Sequence, residues 1–206
     1  MTDKPYSELE LFIRSLAGVA KFTDEENRYI ESQVNVRARE AYNMTDAWPR
    51  YLRVGHRTPV RERDGILYVE VPEGGTPILL TLGHPFQETE IMRFEFYLEG
   101  NEAVIIGENT RRLEGSTINL TYKTPMPVIS SGADSFVPQE FFHFIGQATY
   151  SDFLRADGQN DKARAEGQLA NVYLFNELQQ PNVTRNNNLL YMHIRTNYAE
   201  ALNYLT

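Results

Sequence analysis

Cysteine is absent from the 206 residues of this chain. Disulfide scaffolds, thiolate zinc sites and thiol nucleophiles are therefore excluded. No apolar run approaches the ~20 residues that a membrane helix needs. The opening "MTDKPYSELELF" lacks the basic-then-apolar order of a secretion signal. These absences lead us to expect a soluble protein that stays in the cell where it is made, with no membrane partner. Basic residues are outnumbered: 20 Lys and Arg against 28 Asp and Glu leave a net charge of -8. Nucleic-acid affinity comes mainly from Lys and Arg displacing counterions, so a firm grip on phosphates is not expected. No P-loop, dinucleotide fingerprint or Gly-x-Ser-x-Gly elbow occurs.

What is present is a globular chain, with 41% hydrophobic and 23% charged residues, so a packed core is expected rather than disorder. Two helices are predicted first. Ser7 and Glu10 have capping-box spacing, as do Thr23 and Glu26. The second helix should run to about Tyr42, with Ile30, Val34, Ala38 and Ala41 on one face. Pro49 closes this part.

From Arg50 the pattern turns to strands. "ILYVEV", "PILLTL", "MRFEFYL", "AVIIG" and "STINLTYK" are short, β-branched or alternating. Met92, Phe94, Phe96 and Leu98 should share one side. Asp64-Gly65, Glu73-Gly74-Gly75, Glu99-Gly100-Asn101 and Glu114-Gly115 supply the turns. A breaker-rich crossover, 124–138, leads to Pro138 at the first position of another helix. The turn Asp157–Asp161 then joins it to a helix with Ala163, Gly167, Ala170, Leu174 and Leu178 in register. "PNVTRNNN" reads as polar and extended. The expected class is α+β: a helical bundle with an inserted antiparallel sheet or small sandwich, and an extended C-terminal arm. In numbers, helices occupy 7–45 and 138–180, strands 50–123, and the arm 181–206; residues 1–180 form one domain.

Candidate chemistry is sparse. His56, His84, His143 and His193 have no ligand partner three or four residues away. His143 reads as a core or interface residue, and His84 as exposed loop. Ser130–Ser135 reads as a polar capping loop rather than a nucleophile, because no oriented base accompanies it. Glu88 and Glu90 read as a solvated edge. Arg50, Arg53, His56, Arg57, Arg61 and Arg63 read as the wet face of a sheet or as partners of acids, with nucleic-acid contact as the alternative. Asn182 matches a glycosylation sequon by pattern only. No catalytic, metal or cofactor site is expected.

The stretch "YKTPMPVISSGADSFVPQEFFHFIGQATYSDFLRADGQNDKARAEGQLANVYLFNELQQ" resembles the closing segment of phage head-to-tail connector (adaptor) proteins. In that family a last strand ends in an aromatic and a basic residue, here Tyr122-Lys123. A Pro-containing crossover follows, here with Pro125, Pro127, Asp134 and Pro138. Then come a helix rich in small and aromatic residues (Phe141 to Leu154), a short turn with Asp157, Gly158 and Asp161, and a second helix from Ala163 to Leu178. The front half agrees: a long helix ends near Trp48 before a β region. The layout is similar to tubular tail adaptors of short-tailed phages and to long-tailed relatives. The β region is larger here, with 75–110 as extra material.

The resemblance implies a structural virion protein, not an enzyme. It implies a ring of about twelve copies made by head-to-tail contacts between identical surfaces. It implies a place in the virion neck, after assembly in the bacterial host cytoplasm, between the portal protein and a tail or nozzle protein. Genomic DNA would pass through without specific binding. The C-terminal arm would dock on the portal through Tyr191, Met192, Ile194, Tyr198, Leu202, Tyr204 and Leu205. Two other readings stay open: another neck or tail ring protein (a completion factor or tube terminator), and a ligand- or carbohydrate-binding β-domain presenting aromatics such as Trp48 and Tyr51.

Overall fold

The computed structural model describes residues 3–85, 92–107, 113–131 and 135–190. The chain is α+β, with helices before and after a curled seven-stranded antiparallel sheet. It divides into two compact units.

The first unit comprises residues 1–45 and 126–183. A two-residue strand β1 (Lys4–Pro5) pairs antiparallel with β9 (Phe136–Val137). Helix α1 spans Tyr6–Ala17, two residues earlier than a cap at Ser7 predicts, and no side chain caps it. The reason is local: the amide of Tyr6 already donates to Ser135 O at 3.0 Å, and the β1–β9 pairing holds the preceding residues. The backbone does the work that a capping box would do. Gly18, at φ 70°, ends the helix in the left-handed conformation.

Helix α2 spans Asp24–Asn43 and begins as expected. Thr23 N donates to Glu26 Oε2 at 2.7 Å, and Glu26 N donates to Thr23 Oγ1 at 3.3 Å. Ile30, Val34, Ala38 and Ala41 are its buried residues. Helix α3 spans Gln139–Ala156, with Pro138 just outside it rather than at its first turn. It packs on α1, α2 and helix α4 (Asn160–Leu178), so nearly all its sides are buried. Gly146 marks the close approach to α1: a Cβ there would lie 2.6 Å from Phe12 Cε1. Ala163, Ala170 and Leu174 are the buried residues of α4, and Gly167 sits over Ser151. The plain turn between α3 and α4, with Gly158 at φ 79°, is what a close antiparallel hairpin of small residues needs.

The second unit comprises residues 46–125 and the chain from 184. Its strands are β2 (Leu52–Pro59), β3 (Arg61–Arg63), β4 (Ile66–Glu70), β5 (Thr76–Leu82), β6 (Met92–Glu99), β7 (Glu102–Ile106) and β8 (Thr117–Lys123). The lateral order is β2-β8-β5-β6-β7-β4-β3. The two end strands are halves of one run of chain, bent at Val60, whose amide donates to Ser116 O at 2.9 Å. One half pairs with β8 and the other with β4, so the sheet curls round on itself. That geometry shortens the exposed edges through which sheets aggregate. Leu67, Val69, Leu80, Ala103, Ile105, Ile118 and Leu120 fill the inside. Phe94 and Phe96 pack on this core as alternation predicts, whereas Met92 and Leu98, nearer the strand ends, are exposed. Asp64-Gly65 forms the tight β3–β4 turn with both residues at positive φ.

Residues 181–190, expected as an extended polar stretch, are helical. Pro181 opens this helix, a position where its missing N–H costs nothing. In the second unit Asn186 Nδ2 donates to Ala47 O at 2.9 Å.

Candidate interaction surface

Chemistry-bearing residues singled out by sequence are mostly occupied in holding the chain together. Ser135 Oγ accepts from Ser130 N, and Ser131 N donates to Glu31 Oε1. The described residues of the Ser130–Ser135 loop are thus anchored within the loop and to α2, and they do not cap α3, which has no side-chain cap. Arg61 and Arg63 pair with Glu70 and Glu102 at 2.5 Å each, and Arg63 also lies over the Tyr68 ring. Arg53 Nη1 donates to Arg50 O. Of the arginine cluster, Arg53, Arg61 and Arg63 therefore meet acids or a carbonyl, while Arg57 is exposed. His56 meets the edge of Tyr122, and His84, expected as exposed loop, is half-buried over Gly55. Asn182 is an exposed residue of a helix.

Two further expectations are corrected. His143, read as a core or interface residue, is not in the core: it is exposed, its ring flanked by Phe12, Phe142 and Tyr173 at 5.4 to 5.7 Å. On α3 it falls on the exposed side, while Phe142 and Phe144 are buried. Trp48 and Tyr51, offered as sugar-stacking aromatics, are 1% and 4% exposed. A ring buried that deeply cannot stack on a ligand. Glu88, Glu90 and His193 lie outside the described residues, as do the arm residues Tyr191, Met192, Ile194, Tyr198, Leu202, Tyr204 and Leu205. Among the described residues, no three His, Asp or Glu side chains are grouped to hold a metal, and no helix is long and apolar enough to cross a membrane.

One half-buried or buried cation in each unit is held by an acid. Arg37 holds Asp152 through two bonds, Nε to Oδ2 at 2.7 Å and Nη2 to Oδ1 at 2.6 Å, and it also donates to Glu40 Oε2 at 2.6 Å. The hydrogen bond to Asp152 is the main reason the Arg37 guanidinium is held even more firmly protonated than usual. Lys123, whose side chain is 4% exposed, reaches Asp46 at 3.2 Å; burial pushes its ammonium below the ordinary lysine value. Lys123 is thus a structural cation behind the aromatic Tyr122.

One open surface lies on α4. Arg164, Gln168, Asn171 and Phe175 follow one another at helical spacing, so they form a line along one side. Arg164, Gln168 and Asn171 of this line rim a groove of about 290 Å³ between α2, α3 and α4. Phe144, Ala148, Ala163 and Ala170 form its floor but are themselves buried, and Arg37 and Arg155 give it charge. Next to the rim, Leu169, Val172 and Phe175 are 41%, 52% and 59% exposed. Sequence reading picked out the buried stripe of α4 and missed this one. The signal was there: apolar residues at 169, 172 and 175 recur at helical spacing on the side away from Ala163, Ala170 and Leu174.

No protein-family model matches the chain, and no curated protein is significantly similar to it.

Proposed function

We propose that this protein is a structural head-to-tail adaptor of a tailed phage, working as a ring of identical copies in the virion neck without catalysis. The observation that carries the reading is the placement of the resembling segment. Tyr122-Lys123 closes β8, the Pro-containing crossover follows, and the small and aromatic residues fall on α3 and α4 with Gly158 in the turn between them. The exposed stripe Leu169, Val172 and Phe175 adds support, because a helix apolar on two sides has one side to give to a neighbour. In a ring each copy offers two different surfaces to its neighbours, and the stripe is one of them. The net charge of -8 per chain suits a channel that DNA slides through rather than sticks to. The partners are further copies of the chain, the portal protein and a tail or nozzle protein, and the arm beyond residue 190 carries the portal contact.

The burial of Trp48 and Tyr51 speaks against the carbohydrate-binding alternative. The test is electron microscopy of a phage lysate in which a nonsense codon blocks synthesis of this protein. DNA-filled heads without tails, with loose tail parts, are expected. Normal infectious particles would overturn the adaptor reading.

A further inference from the structure

The groove between α2, α3 and α4 carries more positive charge than it can neutralise. Arg37, Arg155 and Arg164 line it, and Glu40 and Asp152 are the acids at hand. Arg37 occupies both: its fork takes the two oxygens of Asp152, and its remaining nitrogen takes Glu40. Arg155 is left with a longer contact of 3.6 Å to one Asp152 oxygen and stays 60% exposed. Arg164 is exposed and forms no ion pair among the described residues. Two guanidiniums therefore flank this recess, in a chain whose net charge is -8.

We propose that this groove is a docking site for an acidic peptide segment of a partner protein, one that presents carboxylates. The guanidinium fork matches a carboxylate in two parallel hydrogen bonds. The volume of about 290 Å³ admits a few side chains. Nucleic acid is the poorer fit, because its affinity grows with the number of phosphates neutralised, and two arginines in an acidic chain neutralise few. The inference is independent of the adaptor reading and survives or fails without it.

The test is an NMR titration of the full-length, isotope-labelled chain with a blocked peptide alternating Glu and Leu. The controls are the same peptide with Gln for Glu, inorganic phosphate, and a single-stranded oligonucleotide. The Glu peptide should shift amides of α3 and α4 that line the groove. Arg155→Gln combined with Arg164→Gln should weaken binding about tenfold or more, because charge-assisted pairs set the affinity there. Both side chains are exposed, so the double variant should keep the wild-type circular dichroism spectrum and melting temperature. Four results would each overturn the proposal: no groove shifts with the Glu peptide, equal binding of the Gln peptide, unchanged affinity of the double variant, or phosphate or oligonucleotide binding as tightly as the peptide.

Discussion

Gly146→Ala is the sharpest test of how the first unit packs. In an ordinary helix interior this change stabilises by about 1 kcal/mol, because alanine loses less backbone freedom on folding. Here the added methyl would meet the Phe12 ring at two atoms, Cδ1 and Cε1 (the latter at 2.6 Å), with Leu9 Cδ1 at 3.3 Å. The ring cannot easily step aside: its centroid lies 5.8 Å from that of Phe142 and 5.7 Å from that of His143. Overpacking of this kind costs about 1–3 kcal/mol beyond any propensity gain. We expect a net loss of about 1–2 kcal/mol, seen as a melting temperature lower by about 2–8 °C. Circular dichroism at the helix band reads it. In a Phe12→Ala background the same glycine change should be neutral or stabilising, giving a coupling of about 2 kcal/mol. Gly167→Ala is the internal control, since its nearest neighbour would be Ser151 Oγ at 3.2 Å; it should cost less than Gly146→Ala. If Gly146→Ala alone proves as stable as the parent, α1 and α3 do not meet as described.

Asp152→Ala should destabilise by about 2–4 kcal/mol in urea unfolding, because it strips a half-buried guanidinium of its main partner, and pairing Arg37→Met with Asp152→Leu should recover much of that loss. Equal losses in the single and double changes would show that the pair is not coupled. Burial, then the charges of Glu31 and Glu10, push the Tyr6 hydroxyl up to about 12 from 10.0. A proton held more tightly in the folded state gives stability that is complete below pH 10 and is lost as the pH rises from there through 12, so Tyr6→Phe should flatten the alkaline fall in stability. Parallel curves for parent and variant would refute this. Thr149 is fully buried, and its hydroxyl makes no hydrogen bond among the described residues. Thr149→Val should therefore raise stability by about 1 kcal/mol, and a loss of that size would mean the hydroxyl has a partner.

The local rules of helices and turns were legible wherever one element decided the outcome. The α2 stripe, its Thr23–Glu26 cap and the Asp64-Gly65 turn follow from spacing and turn chemistry alone. The misses came where distant chain intervened. Ser7 does not cap α1, because Ser135, far along the chain, supplies the acceptor for Tyr6 N. Residues 181–190 carry polar side chains that suit loop or helix equally, and the helix was not readable from them. The curl of the sheet depends on one bent run pairing at both ends of the strand order, which no local window contains. The α4 surface was half legible: its buried side was seen, and its exposed apolar side was absorbed into the impression of a plain hairpin.

Inside the helical unit, Gln147 is bound to Glu166, Ser151 to Ala163 O, and Asp152 to Arg37. In the sheet unit Lys123 is bound to Asp46, and Thr81 Oγ1 to Gly83 O. These buried polar groups hold one segment of chain against another. On the outside of α4 an apolar stripe and exposed guanidiniums lie side by side. Substitutions in the two groups should sort accordingly. Changes at Gln147, Asp152 or Lys123 should lower stability. Changes at Leu169, Val172, Phe175, Arg155 or Arg164 should leave stability alone and alter assembly or binding. A stability loss from the second group, larger than the roughly 0.5 kcal/mol typical of surface sites, would place α4's outer face inside the fold and remove it as an interaction surface.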